Sequence, residues 1–124
     1  MSIVDLFLFP HFIFILIGII LLSLSLFFVN FHKPKKWFLL HWITAIGGTI
    51  LAIIGIILLG TLILTIPHGI VGLLAIIFLV YAVVVGIVAR NLKNKNLRKA
   101  HIWTSRVIYV FALIALILGI LSFI

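Results

Sequence analysis

The 124 residues include no cysteine, one acidic residue (Asp5) and only 8% charged residues in all. Without cysteine there is no disulfide and no thiolate ligand, so any metal or cofactor must be held by nitrogen or oxygen. Without paired carboxylates, a nucleophile beside a base or a phosphate-cradling glycine loop, hydrolytic and acid–base catalysis find no footing. So little charge also leaves too little polar surface to dress a water-soluble domain of this size.

What fills the chain instead is apolar: 67% of it is hydrophobic. Four apolar stretches, about 6–30, 37–60, 66–91 and 99–124, each exceed the roughly 20 residues that a helix needs to cross ~30 Å of hydrocarbon. Runs such as LAIIGIILLG (51–60) show none of the alternation of a barrel strand. The sequence therefore predicts an all-α, multi-pass integral protein of the cell membrane, with residues 1–124 forming one up-down-up-down four-helix transmembrane bundle. Residues 6–30 read as a retained helix and not a signal peptide, because the only charge ahead of Lys33 is Asp5 and no small-residue cleavage site follows.

All nine basic residues fall on one side in this arrangement. Lys33, Lys35 and Lys36 lie between the first two helices; Arg90, Lys93, Lys95, Arg98, Lys99 and Arg106 lie around the connection of the last two. The positive-inside rule makes that side cytoplasmic and puts both termini on the non-cytoplasmic side. The net charge of +8 is first a topology signal. Nucleic acid is not an expected partner, since cations confined to short loops beside membrane helices serve orientation and anionic head groups.

Local punctuation supports the same division. Pro10 and Pro67 suit the first turn of a helix, where the missing N–H costs nothing, and Thr65 reads as the cap ahead of Pro67. NFHKPKK (30–36) reads as a compact turn, Gly60 as a helix end, and LKNKNLR (92–98) as the loop that closes the cytoplasmic side. Trp37, Trp42 and Trp103 fall at interfacial depth.

The halves echo one another. Pro10-His11 matches Pro67-His68, and His41-Trp42 matches His101-Ile102-Trp103, with His-to-His separations of 30 and 33 residues. Each of these four histidines lies in the first turns of a different helix. Antiparallel neighbours then place His11 and His68 near the outer surface and His41 and His101 near the cytoplasmic one, each pair on diagonal helices. Diagonal imidazoles suit a flat macrocycle standing edge-on in a bundle with an axial nitrogen on each face. A tetrahedral zinc site would want three or four ligands at one depth, and each depth offers two. One histidine alone reads equally as an interfacial ring bonded to a head group or carbonyl. Four at paired depths, in a chain with few other polar groups, point to a shared task.

Glycine supplies room on the same faces. His68 to Gly86 and His101 to Gly119 are each 18 residues, five turns of helix or about 27 Å, which sets each glycine on its histidine's face at the depth of the other pair. His41, Gly48 and Gly55 repeat every seven residues, and Gly18 lies seven beyond His11. Close helix packing through small residues accounts for such spacing too. Arg106, inside the fourth helix, either snorkels back to the interface or meets a cofactor carboxylate such as a haem propionate, for which Arg98 and Lys99 are the ordinary partners by depth. The outer level has no Lys or Arg. His32, among cations in the turn, reads as a solvated loop residue. Tyr81, Tyr109, Thr104 and Ser105 are given no chemistry, since lone hydroxyls on apolar helices mostly bond to the preceding turn.

The arrangement resembles the four-helix core of the cytochrome b561 family, through PHFIFILIG (10–18), HWITAIGG (41–48), PHGIVG (67–72) and KAHIWTSR (99–106), and so over nearly the whole chain. The resemblance implies one histidine ligand per helix and two molecules of haem b per chain. His11 and His68 would bind the outer iron, and His41 and His101 the cytoplasmic-side iron. Gly48, Gly55, Gly86, Gly119 and Arg106 would border the cofactors. Larger members carry an extra helix on each side of this core, and some are fused to soluble redox domains. Their absence here implies that a separate redox protein or quinone-like carrier exchanges the electrons.

The expected function is thus electron transfer across the membrane between two bis-histidine haems, whose six-coordinate iron leaves no open site for substrate. The competing reading is a haem-free accessory or anchor subunit of a larger membrane complex. Cation transport along the histidines would need a hydrated path and carboxylates that the sequence lacks. Besides lipid and a redox partner, the expected partners are a second copy of the chain or the larger complex.

Overall fold

The computed structural model describes residues 2–61 and 64–124, and within them every regular element is helical. A short 3-10 helix, Ile3–Leu8, precedes four α-helices: α1 Pro10–Phe31, α2 Trp37–Leu59, α3 Pro67–Asn91 and α4 Lys95–Phe123. All four are long and apolar enough to cross a membrane. The chain is a multi-pass integral membrane protein.

The helix ends follow from local chemistry. Phe9 is extended (φ −98°, ψ 115°), as a residue ahead of proline prefers, and Pro10 opens α1. Ahead of it, the Ser2 N–H donates to the Asp5 carboxylate at 2.7 Å. The α1 helix stops at His32, which takes a left-handed conformation (φ 53°) and donates its N–H to the Phe28 carbonyl. Its exposed ring meets Trp37 edge-on at 4.4 Å between centroids, so this loop histidine is braced by the first residue of α2. Gly60, at φ 77°, closes α2.

Two expectations need correction. Thr65 does not cap α3: the cap is Ile66, extended ahead of Pro67, and the Ile66 carbonyl accepts from the N–H groups of Gly69 and Ile70. Nor is 92–98 a loop throughout, because α4 begins at Lys95. The reason lies at Asn94. Lys93 (φ 48°) and Asn94 return their N–H groups to Arg90 and Ala89, which satisfies the end of α3 in a Schellman turn. The Asn94 side chain then accepts from the N–H groups of Asn96 and Leu97 and starts α4. One asparagine both ends a helix and begins the next, so the turn is shorter than its polarity suggests.

The chain forms two compact units, residues 1–62 with 120–124, and residues 63–119. The first is built on the antiparallel hairpin of α1 and α2. Its helices approach until backbones touch: a β-carbon at Gly18 would stand 2.9 Å from the Gly48 carbonyl oxygen, and one at Gly48 2.8 Å from that of Gly18. Small residues thus do here what they do in many membrane helix pairs. On α2 the buried residues Gly48, Ala52 and Gly55 turn one way, while Ile43, Ile50 and Ile57 stand exposed, as residues facing acyl chains should. The second unit is the α3–α4 hairpin, packed through Ala75, Ala112 and Ala115 with Val71 and Phe111 against them.

Candidate functional site

Each hairpin carries one of the four helix-borne histidines at its open end and one just beyond its loop. All four are partly buried, and all four turn Nδ1 onto the facing helix of their own hairpin. His11 Nδ1 lies 2.7 Å from the Gly55 carbonyl and His68 Nδ1 2.9 Å from that of Ala115. His41 Nδ1 lies 3.1 Å from the Ser25 carbonyl and 2.7 Å from the Ser25 hydroxyl, and His101 Nδ1 lies 3.0 Å from the Ala82 carbonyl.

A carbonyl oxygen only accepts, so Nδ1 must be the protonated nitrogen that donates. In the neutral ring the lone pair then resides on Nε2. Histidines that ligate metals are commonly held in this way, with the second nitrogen donating to a carbonyl that fixes tautomer and ring direction. The same arrangement occurs four times.

The contacts also keep a strict register. His11 and its acceptor are 44 residues apart and His68 and its acceptor 47; His41 and its acceptor are 16 apart and His101 and its acceptor 19. Both comparisons differ by three residues, so the hairpins superimpose in sequence once three extra residues are allowed between the helices of the second. On that register Ser25 corresponds to Ala82, and Gly55 to Ala115.

The glycines singled out from the sequence divide into two kinds. Gly86 and Gly119 seat histidine rings: a β-carbon would lie 2.8 Å from His101 Cε1 at the first and 2.7 Å from His68 Cε1 at the second. Each stands four residues, about one turn, beyond the carbonyl that holds that ring. Gly48 meets the backbone of Gly18, and Gly55 meets Ile15 and the His11 carbonyl, so these two let helices approach. Arg106 is exposed and stacks over the face of Trp103, 5.3 Å from the ring centroid. Among the described residues, no three His, Cys, Asp or Glu side chains come together as a metal cage.

The hydroxyls set aside from the sequence behave mostly as expected. Thr104 bonds back to the Ala100 carbonyl at 2.7 Å, and with Tyr81, Phe78, Trp103 and Phe111 it borders an open apolar groove of about 410 Å³ on the second hairpin. Ser105 turns to His101 Nδ1 at 3.4 Å. Sequence reasoning overlooked Ser25. Its signal was a serine amid an unbroken apolar run, LSLFFV (24–29), where a hydroxyl needs a partner.

The family model described as eukaryotic cytochrome b561 matches residues 6–124, which takes in every one of these positions. No curated protein and no solved structure matches the chain.

Proposed function

Because the chain belongs to the cytochrome b561 family, and is therefore a b-type membrane cytochrome of transmembrane electron transfer, we propose that it carries electrons between two bis-histidine haems. In this reading His11 and His68 ligate the outer iron and His41 and His101 the cytoplasmic-side iron. Gly86 and Gly119 seat two of these ligand rings, Gly48 and Gly55 serve the close approach of α1 and α2, Arg106 would border the cytoplasmic-side cofactor, and both termini lie outside. The observation that carries the reading is the repeated Nδ1–H···O=C contact at all four rings. It suits the donor set to iron, because it directs an unprotonated Nε2 from each ring.

When bound, the haem supplies the one-electron chemistry. The protein holds the imidazoles in one tautomer, excludes water with apolar helices and sets the strength of each Nδ1–H bond. Arg106, stacked over Trp103, would offer a cation to a haem propionate near the cytoplasmic surface, as would Arg98 and Lys99. A quinone-like carrier or a separate redox protein exchanges electrons at either end.

A visible spectrum of the purified protein before and after dithionite tests this. Sharp, reductant-dependent haem b bands are the expected result. A colourless preparation, after expression with adequate haem, would favour the accessory-subunit reading.

A further inference from the structure

The two hairpins repeat each other's histidine contacts and part at two hydroxyls: Ser105 stands 3.4 Å from His101 Nδ1 where the first hairpin has Ala45, and Ser25 stands closer to His41 Nδ1 where the second has Ala82. Ser25 and its counterpart Ala82 each offer a backbone carbonyl to the histidine of the following helix, at 3.1 and 3.0 Å. Ser25 adds a hydroxyl oxygen at 2.7 Å from the same Nδ1. That hydroxyl has its own proton engaged, donating to the His41 carbonyl at 3.2 Å, so its oxygen is turned to accept from the ring. Ser25 is 4% exposed, so the contact is buried within the hairpin.

Ordinary packing does not explain this geometry. Ser23, Thr44, Thr49 and Thr104 all bond to the carbonyl four residues earlier on their own helix, at 2.7 to 2.9 Å. Ser25 reaches across to the next helix instead. The His41 Nδ1–H therefore meets two acceptors on one residue. Stronger hydrogen bonding at Nδ1 raises the basicity of Nε2, and a more basic axial nitrogen favours ferric over ferrous iron.

We propose that Ser25 is a positioning residue for electron transfer: through His41 its hydroxyl holds the cytoplasmic-side haem at a lower midpoint potential than the carbonyl alone would set. The inference rests on His41 being an iron ligand, as the proposed function has it. The result is a lower potential at the cytoplasmic-side haem, set by the shorter of the two hydroxyl contacts on its ligands, Ser25 to His41 at 2.7 Å against Ser105 to His101 at 3.4 Å.

Redox titration of purified wild-type, Ser25→Ala and Ser25→Thr proteins, followed in the haem b bands, tests it. In Ser25→Ala one titration wave moves to higher potential by roughly three- to tenfold in the reduction equilibrium, about 28–59 mV at 59 mV per decade for one electron. The other wave and the haem content stay as they were, and Ser25→Thr returns the moved wave towards its original position. Nitrogen-15 spectra of histidine-labelled, haem-free protein give a second readout: one Nδ1–H resonance shifts in Ser25→Ala. Wild-type protein with two unmoved waves in Ser25→Ala overturns the role of Ser25 and leaves the haem assignment standing. Loss of haem from Ser25→Ala makes the hydroxyl a structural prop and overturns it as well. Wild-type protein that takes up no haem defeats the functional reading itself, and the nitrogen spectra then judge the Ser25 contact alone.

Discussion

The His101 ring lies against Gly86 with so little clearance that a β-carbon there would stand 2.8 Å from its Cε1. Gly119 seats His68 in the same way, at 2.7 Å. Neither ring can swing aside without stretching its bond to Ala82 or Ala115. Gly86→Ala and Gly119→Ala should therefore each displace one histidine, at about 1–3 kcal/mol of overpacking. The measurable result is a lower haem content per polypeptide in both, with helix content retained. Gly72→Ala, where a β-carbon meets nothing within 4 Å, should keep full haem. Equal haem in all three would mean that the glycines have no part in seating the rings.

Gly18 and Gly48 make a different demand. A β-carbon at either meets a backbone carbonyl of the other, and backbone cannot rotate away as a side chain does. Gly18→Ala or Gly48→Ala should push α1 and α2 apart and cost on the order of 1–3 kcal/mol. Denaturation followed by circular dichroism checks this, with Gly47→Ala as the comparison, since its β-carbon would make an ordinary 3.7 Å contact with Leu21. A comparable loss at Gly47 would argue against the backbone contact.

The lack of cysteine allows orientation to be read directly. If the nine cations lie on the cytoplasmic side, as the positive-inside reading has it, Ser2→Cys and Thr61→Cys should react with a membrane-impermeant maleimide added outside intact cells, and Asn94→Cys only after the membrane is opened. The reverse pattern would invert the topology drawn from the positive charges.

Most of the fold was legible because a membrane helix announces itself by length and apolarity, two properties that need no knowledge of neighbours. Pro10, Pro67 and Gly60 marked helix ends because their effects are local. Asn94 misled because it serves two helices at once, which hid the start of α4 inside a polar run. Thr65 misled because Pro67 already fixes the residue before it as extended, leaving the cap to Ile66. In the candidate site, histidine type and spacing could be read from the sequence. The acceptors could not, since Gly55, Ala82 and Ala115 contribute only carbonyls and any residue type would provide those. Gly86 and Gly119 drew notice as room for a cofactor, while the structure fills the space beside each with a histidine ring.

The central claim is that four imidazoles act as two couples, and haem content per polypeptide in single and double histidine variants tests it most directly. His11→Ala, His68→Ala, His41→Ala and His101→Ala should each lose about one of two haems. Joining His11→Ala with His68→Ala, or His41→Ala with His101→Ala, should remove no more than either change alone, whereas His11→Ala with His41→Ala should empty the protein. Full haem in any single variant, or additive loss within a couple, would contradict the account.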